Sequence, residues 1–460
     1  MKRLLLFLVF VACSCAAPLS AAERKPNIVF ILIDDMGWTD IGCMGSDLYQ
    51  TPNIDRLASQ GVKFTNAYSA CTVCSPSRAA LLTGKYPARL HLTDWIAGHV
   101  KPKAKLKIPD WTQFLPREEV TIAAALKPAD YISASIGKWH LGNPDEHLPT
   151  HHGFDINIAG YNYGQPPSYF APYKIATLTD GPKGEYLTDR LTDEACKFIE
   201  TNRDKPFFLY LPQYCVHQPV QAKKEMIEEY KAKVKPGMMH TNAIYAAMIQ
   251  SLDDGVGKIL GKLDELKLTD NTIVIFTSDN GGLIEVTRQL PLRAGKGSAY
   301  EGGVRVPLIV KWPGVTPAGK VCDEPVIGTD FYPTLLEMTG VSGDAKHNQT
   351  LDGKSMVPLL RDPAAKLDRT ALFWHYPHYH PGGATPYSAV RARDWKLVEF
   401  FEDNHAELYN LKDDIGEKSD QSEKSPAKKA ELLKMLAEWR TSVGAQMPTP
   451  NPNYDHAAKK

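Results

Sequence analysis

Four short strings place acids, an amide, a lysine and histidines where chemistry can use them. Asp34-Asp35 follows the apolar run Asn27-Ile28-Val29-Phe30-Ile31-Leu32-Ile33, and Asp279-Asn280-Gly281-Gly282 follows the run 272–277. His217-Gln218-Pro219 lies beyond Phe207-Phe208-Leu209-Tyr210-Leu211, and Gly137-Lys138-Trp139-His140-Leu141-Gly142 follows residues 131–136. Three carboxylates with an amide oxygen make a hard oxygen donor set, suited to Ca²⁺ or Mg²⁺ and not to Zn²⁺. Either acidic pair alone is also what a helix cap or a turn uses. Four strand ends delivering such groups together need a functional reason.

A fifth string is Cys74-Ser75-Pro76-Ser77-Arg78-Ala79-Ala80-Leu81-Leu82-Thr83-Gly84. Pro76 suits the first position of a helix, the Ala-Ala-Leu-Leu run propagates it, and Gly84 stops it. Cys74 then stands at a helix N-terminus, where free N–H groups and the macrodipole favour an anion. Arg78, one turn along, can fork onto an oxyanion or hold the residue at position 74. A lone cysteine before a helix is usually a buried hydrophobe, but that account leaves the Cys-x-Pro-x-Arg string unexplained.

The elements that position these residues read as an α/β body. Continuous apolar runs at 27–33, 207–211 and 272–277 fit parallel strands buried on both faces. Ile244, Met248, Leu252, Val256, Ile259 and Leu263 recur at helical spacing before the third run. A further strand at about 307–311 ends in Pro313-Gly314. In open parallel sheets ligands bind beyond the carboxyl ends of the strands, which is where the four strings fall. We expect a catalytic domain over 23–340 and a smaller C-terminal α+β subdomain over 341–460. That subdomain closes with a helix whose Leu432, Leu436 and Trp439 form one apolar stripe.

These strings resemble the type I sulfatases of the alkaline-phosphatase-like superfamily, from about Lys25 to the C-terminus. Cys74-Ser75-Pro76-Ser77-Arg78 with Leu82-Thr83-Gly84 matches the signature of that family, and residues 137–142 match its second motif. Asp279-Asn280-Gly281-Gly282 and Arg293-Ala294-Gly295-Lys296-Gly297-Ser298-Ala299-Tyr300-Glu301-Gly302-Gly303 complete the set. The resemblance implies a large, mostly parallel central sheet flanked by helices. It implies that a formylglycine-generating maturation enzyme converts Cys74 to Cα-formylglycine. It further implies Ca²⁺ (Mg²⁺ less so) held by Asp34, Asp35, Asp279, Asn280 and the modified Cys74. Arg78, Lys138 and Lys296 would offset sulfate charge, His217 with Lys296 would protonate the leaving oxygen, and His140 would act as the base that releases sulfate. The expected activity is hydrolysis of sulfate esters of a saccharide and of artificial aryl sulfates. A phosphonate or phosphodiester hydrolase on the same scaffold is the alternative, as is a sulfated-glycan-binding protein if Cys74 stays unconverted.

Composition bounds the rest. Among 460 residues, 53 Lys+Arg balance 53 Asp+Glu, so no basic excess exists to drive nucleic-acid binding. Met1-Lys2-Arg3 and the short apolar stretch Leu4 to Ala12, with Ser20-Ala21-Ala22 before Glu23, lay out a signal peptide over 1–22. No apolar run is long enough for a transmembrane helix. The expectation is therefore export, periplasmic or secreted, with a lipid anchor at Cys13 or Cys15 the lesser alternative. Cys71-x-x-Cys74 has redox-motif spacing, but its context points elsewhere. Weaker pocket candidates are His91, Asp94, Trp95 and His99. The cluster of His375, His378 and His380 with Tyr376 and Tyr379 could hold zinc or, better, wall a sugar subsite.

Overall fold

The run Asn27–Ile33 forms β1, the central strand of the computed structural model, with every residue buried. The structure describes residues 25–143 and 146–454, so the expected signal peptide and the cysteines at 13 and 15 lie outside the described residues. Seven further strands complete the main sheet: β2 (Val62–Phe64), β3 (Ile132–Ile136), β4 (Ile156–Ile158), β5 (Phe207–Pro212), β6 (Thr272–Ser278), β7 (Leu308–Lys311) and β8 (Lys320–Cys322). Their order is β8-β2-β7-β6-β1-β5-β3-β4. All pairs are parallel except those of β7, which runs against both β6 and β2. The chain between β6 and β7 stays at the edge where β6 ends, so the next strand has to run back.

Alternation along the strands explains why they are apolar throughout. Val29, Ile31 and Ile33 face one layer with Leu209, Leu211, Val274 and Phe276. Ile28, Phe30 and Leu32 face the other with Phe208, Tyr210, Ile273 and Ile275. Helices α1 (Pro52–Gln60), α3 (Leu187–Thr201) and α4 (Ala243–Glu265) cover the first face. Helices α2 (Cys74–Thr83) and α5 (Phe331–Thr339) cover the second. In α4 the expected stripe is buried except at Ile244, which is exposed beside the cap, where Asn242 accepts from the N–H groups of Ile244 and Tyr245.

Four antiparallel strands, β9 (Leu372–Tyr376), β10 (Tyr387–Ala392), β11 (Trp395–Phe400) and β12 (His405–Asn410), form the second sheet in chain order. Helix α6 (Pro426–Ser442) seats Leu432, Leu436 and Trp439 on it. That core is shared with Tyr68, Val73, Ala80 and Tyr86 around α2. The second sheet therefore backs the helix that carries Cys74. Residues 356–360 pack with the main body instead, so the antiparallel unit starts at Leu372. Among the described residues all six cysteines are free and no helix is long and apolar enough to cross a membrane.

Candidate active site

Helix α2 begins at Cys74, so Pro76 is its third residue and not its first; Val73 is the extended N-cap. Gly84 ends the helix with φ 72°. All ten helix residues are buried, Arg78 completely. The Arg78 guanidinium reaches the end of β6, with Nε at 2.9 Å and Nη2 at 2.8 Å from Asp279 Oδ2. Its Nη1 donates to the Lys138 carbonyl at 3.0 Å, beyond the end of β3. One arginine thus ties α2 to two strand ends. Lys138 Nζ donates to Asp34 Oδ2 at 2.7 Å, and Lys296 Nζ contacts both oxygens of Asp35 at 2.8 Å.

The backbone locks the same edge. Asp279 N–H donates to the Ile33 carbonyl, Lys138 N–H to the Pro212 carbonyl, and Lys296 N–H to the Gly282 carbonyl. Gly281 N–H donates to the Gly303 carbonyl, and a Cβ at Gly281 would stand 1.8 Å from the Gly302 oxygen. Only glycine allows that approach. Asp35 and His140, at two strand ends, both have φ 59°, a left-handed conformation costing on the order of 1 kcal/mol each for such residues.

The donor set fits a divalent cation. Asp34, Asp35, Cys74 and His217 bring one ligand atom each within 4.8 Å of one another. Asn280 Nδ2 donates to Asp35 Oδ1 at 2.7 Å and to the Gly281 carbonyl at 3.0 Å, which leaves its buried Oδ1 without a hydrogen bond. A buried amide oxygen with no donor is costly unless a cation uses it. Asp279 lies beside this group, its Oδ1 accepting from Asp35 N–H at 3.1 Å and its Oδ2 held by Arg78.

Comparison with known proteins agrees with this geometry. The Sulfatase family model matches residues 26–341, and an N-sulphoglucosamine sulphohydrolase C-terminal model matches 295–442. The chain belongs to the sulfatase family. It is a sulfuric-ester hydrolase. It is 36% identical to human N-acetylgalactosamine-6-sulfatase over 77% of this chain and 69% of that protein. A sulfatase of Formosa agariphila is 34% identical over 88% of this chain and 86% of its own. The crystal structure of Ps i-CgsB, also solved with k-i-k-neocarrahexaose, superposes with TM-score 0.76 at 31% identity, covering 94% and 95% of the two chains. The family generally uses a divalent metal and a formylglycine, and the cluster of Asp34, Asp35, Cys74 and His217 could hold a metal ion.

Two histidines near Cys74 sit in opposite electrostatic environments. His140 Nε2 meets the Ile96 carbonyl, which can only accept, so the proton is on Nε2. Nδ1 is left as a buried acceptor facing Cys74. Burial holds the His140 pKa below the usual imidazole range, which favours the neutral ring. His217 Nδ1 donates to the Gln218 carbonyl at 2.9 Å, while Nε2 lies 3.1 Å from Lys296 Nζ and 3.4 Å from Asp35 Oδ2. Burial and Lys296 lower its pKa, but Asp35 and Asp34 outweigh them, and His217 sits above the ordinary value. Burial drives the Cys74 thiol up, yet Lys138 and Lys296 bring it well below the ordinary value, which shows how strongly the pocket favours an anion at position 74. Asp35 is likewise lowered against burial by Lys296, whereas burial dominates at Asp34 and Asp279 and raises both.

All the expected core residues of the sulfatase converge, and the weaker candidates divide. Trp95 and His380 line a cavity of about 350 Å³ over Cys74, with Ile96, Gln165, Gln218 and Leu283. His380 stands edge-on to Trp95 at 5.4 Å and presses on Gly297, where a Cβ would come within 2.2 Å of the ring. His91 instead meets the Gly444 carbonyl, and Asp94 is buried under the Tyr376 hydroxyl at 2.8 Å. His99 is half-buried outside the cavity. The zinc reading of the tail histidines fails, because each ring has separate partners. His375 is taken by Ser388 and the Gln446 carbonyl, and His378 by Thr93. Tyr379 bonds Glu402. Sequence reasoning missed Gln165 and Leu283, which sit in connecting loops with no motif of their own. Ile96 was missed as well, since its role rests on a backbone carbonyl.

Proposed function

We propose that this sulfatase is exported, carries formylglycine at position 74, binds Ca²⁺, and removes sulfate from a sulfated saccharide. The observation that carries the reading is Cys74 at the head of α2, flanked by Lys138, Lys296, His140 and the carboxylate cluster. The maturation step would replace the thiol with an aldehyde, so two hydrate oxygens would occupy the space that Sγ marks. Asp34, Asp35, Asp279 and Asn280, with one such oxygen, would hold the cation. When bound, the ion supplies fixed positive charge against the sulfate oxygens. Arg78 orients Asp279 and Lys138 for that task, and Lys138 and Lys296 add charge of their own.

In the proposed cycle one hydrate hydroxyl would give its proton to the neighbouring Asp35 carboxylate and attack sulfur while the ester oxygen departs. His217, fed by Lys296, gives that oxygen its proton. His140 Nδ1 then takes the proton of the second hydroxyl, the carbon–oxygen bond to sulfate breaks, and the aldehyde returns. The saccharide assignment is supported by the cavity wall, where Trp95 and His380 offer ring faces and edges beside the amides Gln165 and Gln218. It is also supported by the names of the relatives, one an N-acetylgalactosamine-6-sulfatase and one solved with a neocarrahexaose. A panel of defined sulfated saccharides, a steryl sulfate and a phosphonate ester tests it: release of sulfate from a saccharide is expected. Turnover confined to the steryl or phosphonate ester would overturn it. Chelation to verified metal-free protein should abolish turnover, restored by Ca²⁺; undiminished activity without metal would remove the cation from the reading.

A further inference from the structure

A row of lysines on the segment that follows the cavity-lining residues Trp95 and Ile96 has no part in the chemistry described so far. Residues 95–109 contain Lys101, Lys103, Lys105 and Lys107 and no acid, in a chain whose overall charge is zero. All four are exposed, while Ala104 and Leu106 between them are half-buried. Among the described residues no ion pair engages Lys101, Lys105 or Lys107. Like charges this close repel one another, so an unrestrained loop would spread them apart. Here the backbone is held instead. Ala104 N–H donates to the Lys101 carbonyl, and Leu106–Lys107 pairs antiparallel with Thr449–Pro450. Asn451 Nδ2 donates to the carbonyls of Pro102 and Ala104 at 2.9 and 2.7 Å, and its N–H donates to the Lys105 carbonyl. A fixed cluster of cations is a built feature of this surface.

Two connections tie the row to the active site. Along the chain, Lys101 is five residues from Ile96, which lines the cavity and whose carbonyl meets His140, so it lies within about 18 Å of that wall. Across the fold, Leu106 N–H donates to the Tyr379 hydroxyl at 3.1 Å, and Lys101 Nζ stands 5.4 Å over the Tyr379 ring. The next residue, His380, is in the cavity wall. Glu402 accepts from the Tyr379 hydroxyl, and exposed Asp110 follows Lys107 by three residues. Through Tyr379 and Ile96 the lysine row is joined to two residues neighbouring or lining the cavity wall.

We infer that this lysine row binds the remainder of a polyanionic substrate, so that the natural substrate is a multiply sulfated oligo- or polysaccharide and not a free monosaccharide sulfate. The inference rests on the saccharide reading above and deepens it. A sulfate ester in the cavity belongs to a chain whose further sulfates run over Lys101, Lys105 and Lys107. Exposed cations of this kind act mainly on encounter and on weak binding, and salt screens them within about 8 Å at physiological ionic strength.

The test uses the full-length matured enzyme and the variant Lys101→Gln/Lys105→Gln/Lys107→Gln, whose side chains are exposed and whose melting temperature should match the wild type. kcat/KM is measured at low and high salt on an aryl sulfate, a monosaccharide sulfate and a multiply sulfated hexasaccharide that carry a cleavable ester. The wild type should prefer the hexasaccharide, and the variant should lose about threefold to thirtyfold on it, through KM, while keeping its activity on both small esters. The wild-type advantage should also shrink at high salt and the variant's should not. Equal losses on all three substrates, or no loss on the hexasaccharide, would overturn the lysine row while leaving the saccharide reading in place. Wild-type turnover of the aryl sulfate with none of either saccharide would overturn both.

Discussion

At the scale of single residues, His217 and His140 face the same position with opposite proton inventories. His140 keeps its proton on Nε2 against the Ile96 carbonyl and offers Nδ1 to position 74. His217 keeps its proton on Nδ1 against Gln218 and turns Nε2 toward Lys296 and Asp35. Their environments push their pKa values apart, downward by burial at His140 and, on balance, upward by Asp35 and Asp34 at His217. That separation is what the proposed roles of His140 as base and His217 as acid require. Replacing His217 by Ala should hurt a sugar sulfate more than the ester of an acidic phenol. A sugar alkoxide needs a proton as it leaves, and a nitrophenolate needs one far less. General acid catalysis is worth about 10²–10⁴-fold, which bounds the difference in kcat/KM between the two substrates. Equal losses on both would reassign His217 to sulfate binding.

At the scale of elements, a buried charged knot joins the second sheet to the loop that carries Lys296. Lys396 of β11 lies 2.8 Å from Glu301 and 3.0 Å from Glu417, all three fully buried or nearly so. Glu417 also accepts from Glu301 N–H at 2.7 Å, and Arg305 and the Tyr68 hydroxyl reach Glu301. Burial, with Glu301 beside it, raises the Glu417 pKa to about 7 despite Lys396. Burial also acts on Glu301, but Lys396, Arg305 and Arg391 lower it to about 2. For Glu417 the folded pKa is above the unfolded one, so its contribution is fully present below about 4.5 and is lost as pH rises through about 7. The Glu301 contribution has the opposite sign, present above about 4.5 and lost only as pH falls toward about 2. Glu417→Gln should therefore gain stability relative to wild type between pH 5 and pH 8, by on the order of 2 kcal/mol. Urea unfolding of both proteins across that range checks this, and curves that stay parallel would show that Glu417 does not change charge there.

At the scale of the whole molecule, what could be read in the sequence was whatever is local to a strand or helix end. Asp34, Asp279, Lys138 and Cys74 each adjoin an apolar run or a helix start, so topology alone carries them to one edge. The reversed direction of β7 was not legible, because it depends on where the long segment after β6 returns. His380, Gln165 and Leu283 reach the cavity through contacts distant in sequence, and no spacing announces them. The proposed conversion of Cys74 was legible only through the resemblance its motif carries, because it is chemical and would precede folding. Cys74 is 3% exposed at the floor of the cavity, at the head of α2, so under the proposed function the oxidising enzyme would act on the extended Cys74-Ser75-Pro76-Ser77-Arg78 segment before α2 packs. A thiolate that attacked sulfur would hold the sulfate as a thiosulfate-like ester with no internal route of release, whereas a hydrate expels it through its second hydroxyl. Activity across preparations expressed with graded amounts of the maturation enzyme should thus rise in proportion to the fraction of aldehyde at position 74, measured by mass spectrometry. Cys74→Ser, in a host that converts only cysteine, should fold with an unchanged melting temperature and fail to turn over. Activity that stayed constant as the aldehyde fraction fell to zero would overturn the formylglycine mechanism, and the pocket would then have to stabilise an anion at Cys74 for some other reaction.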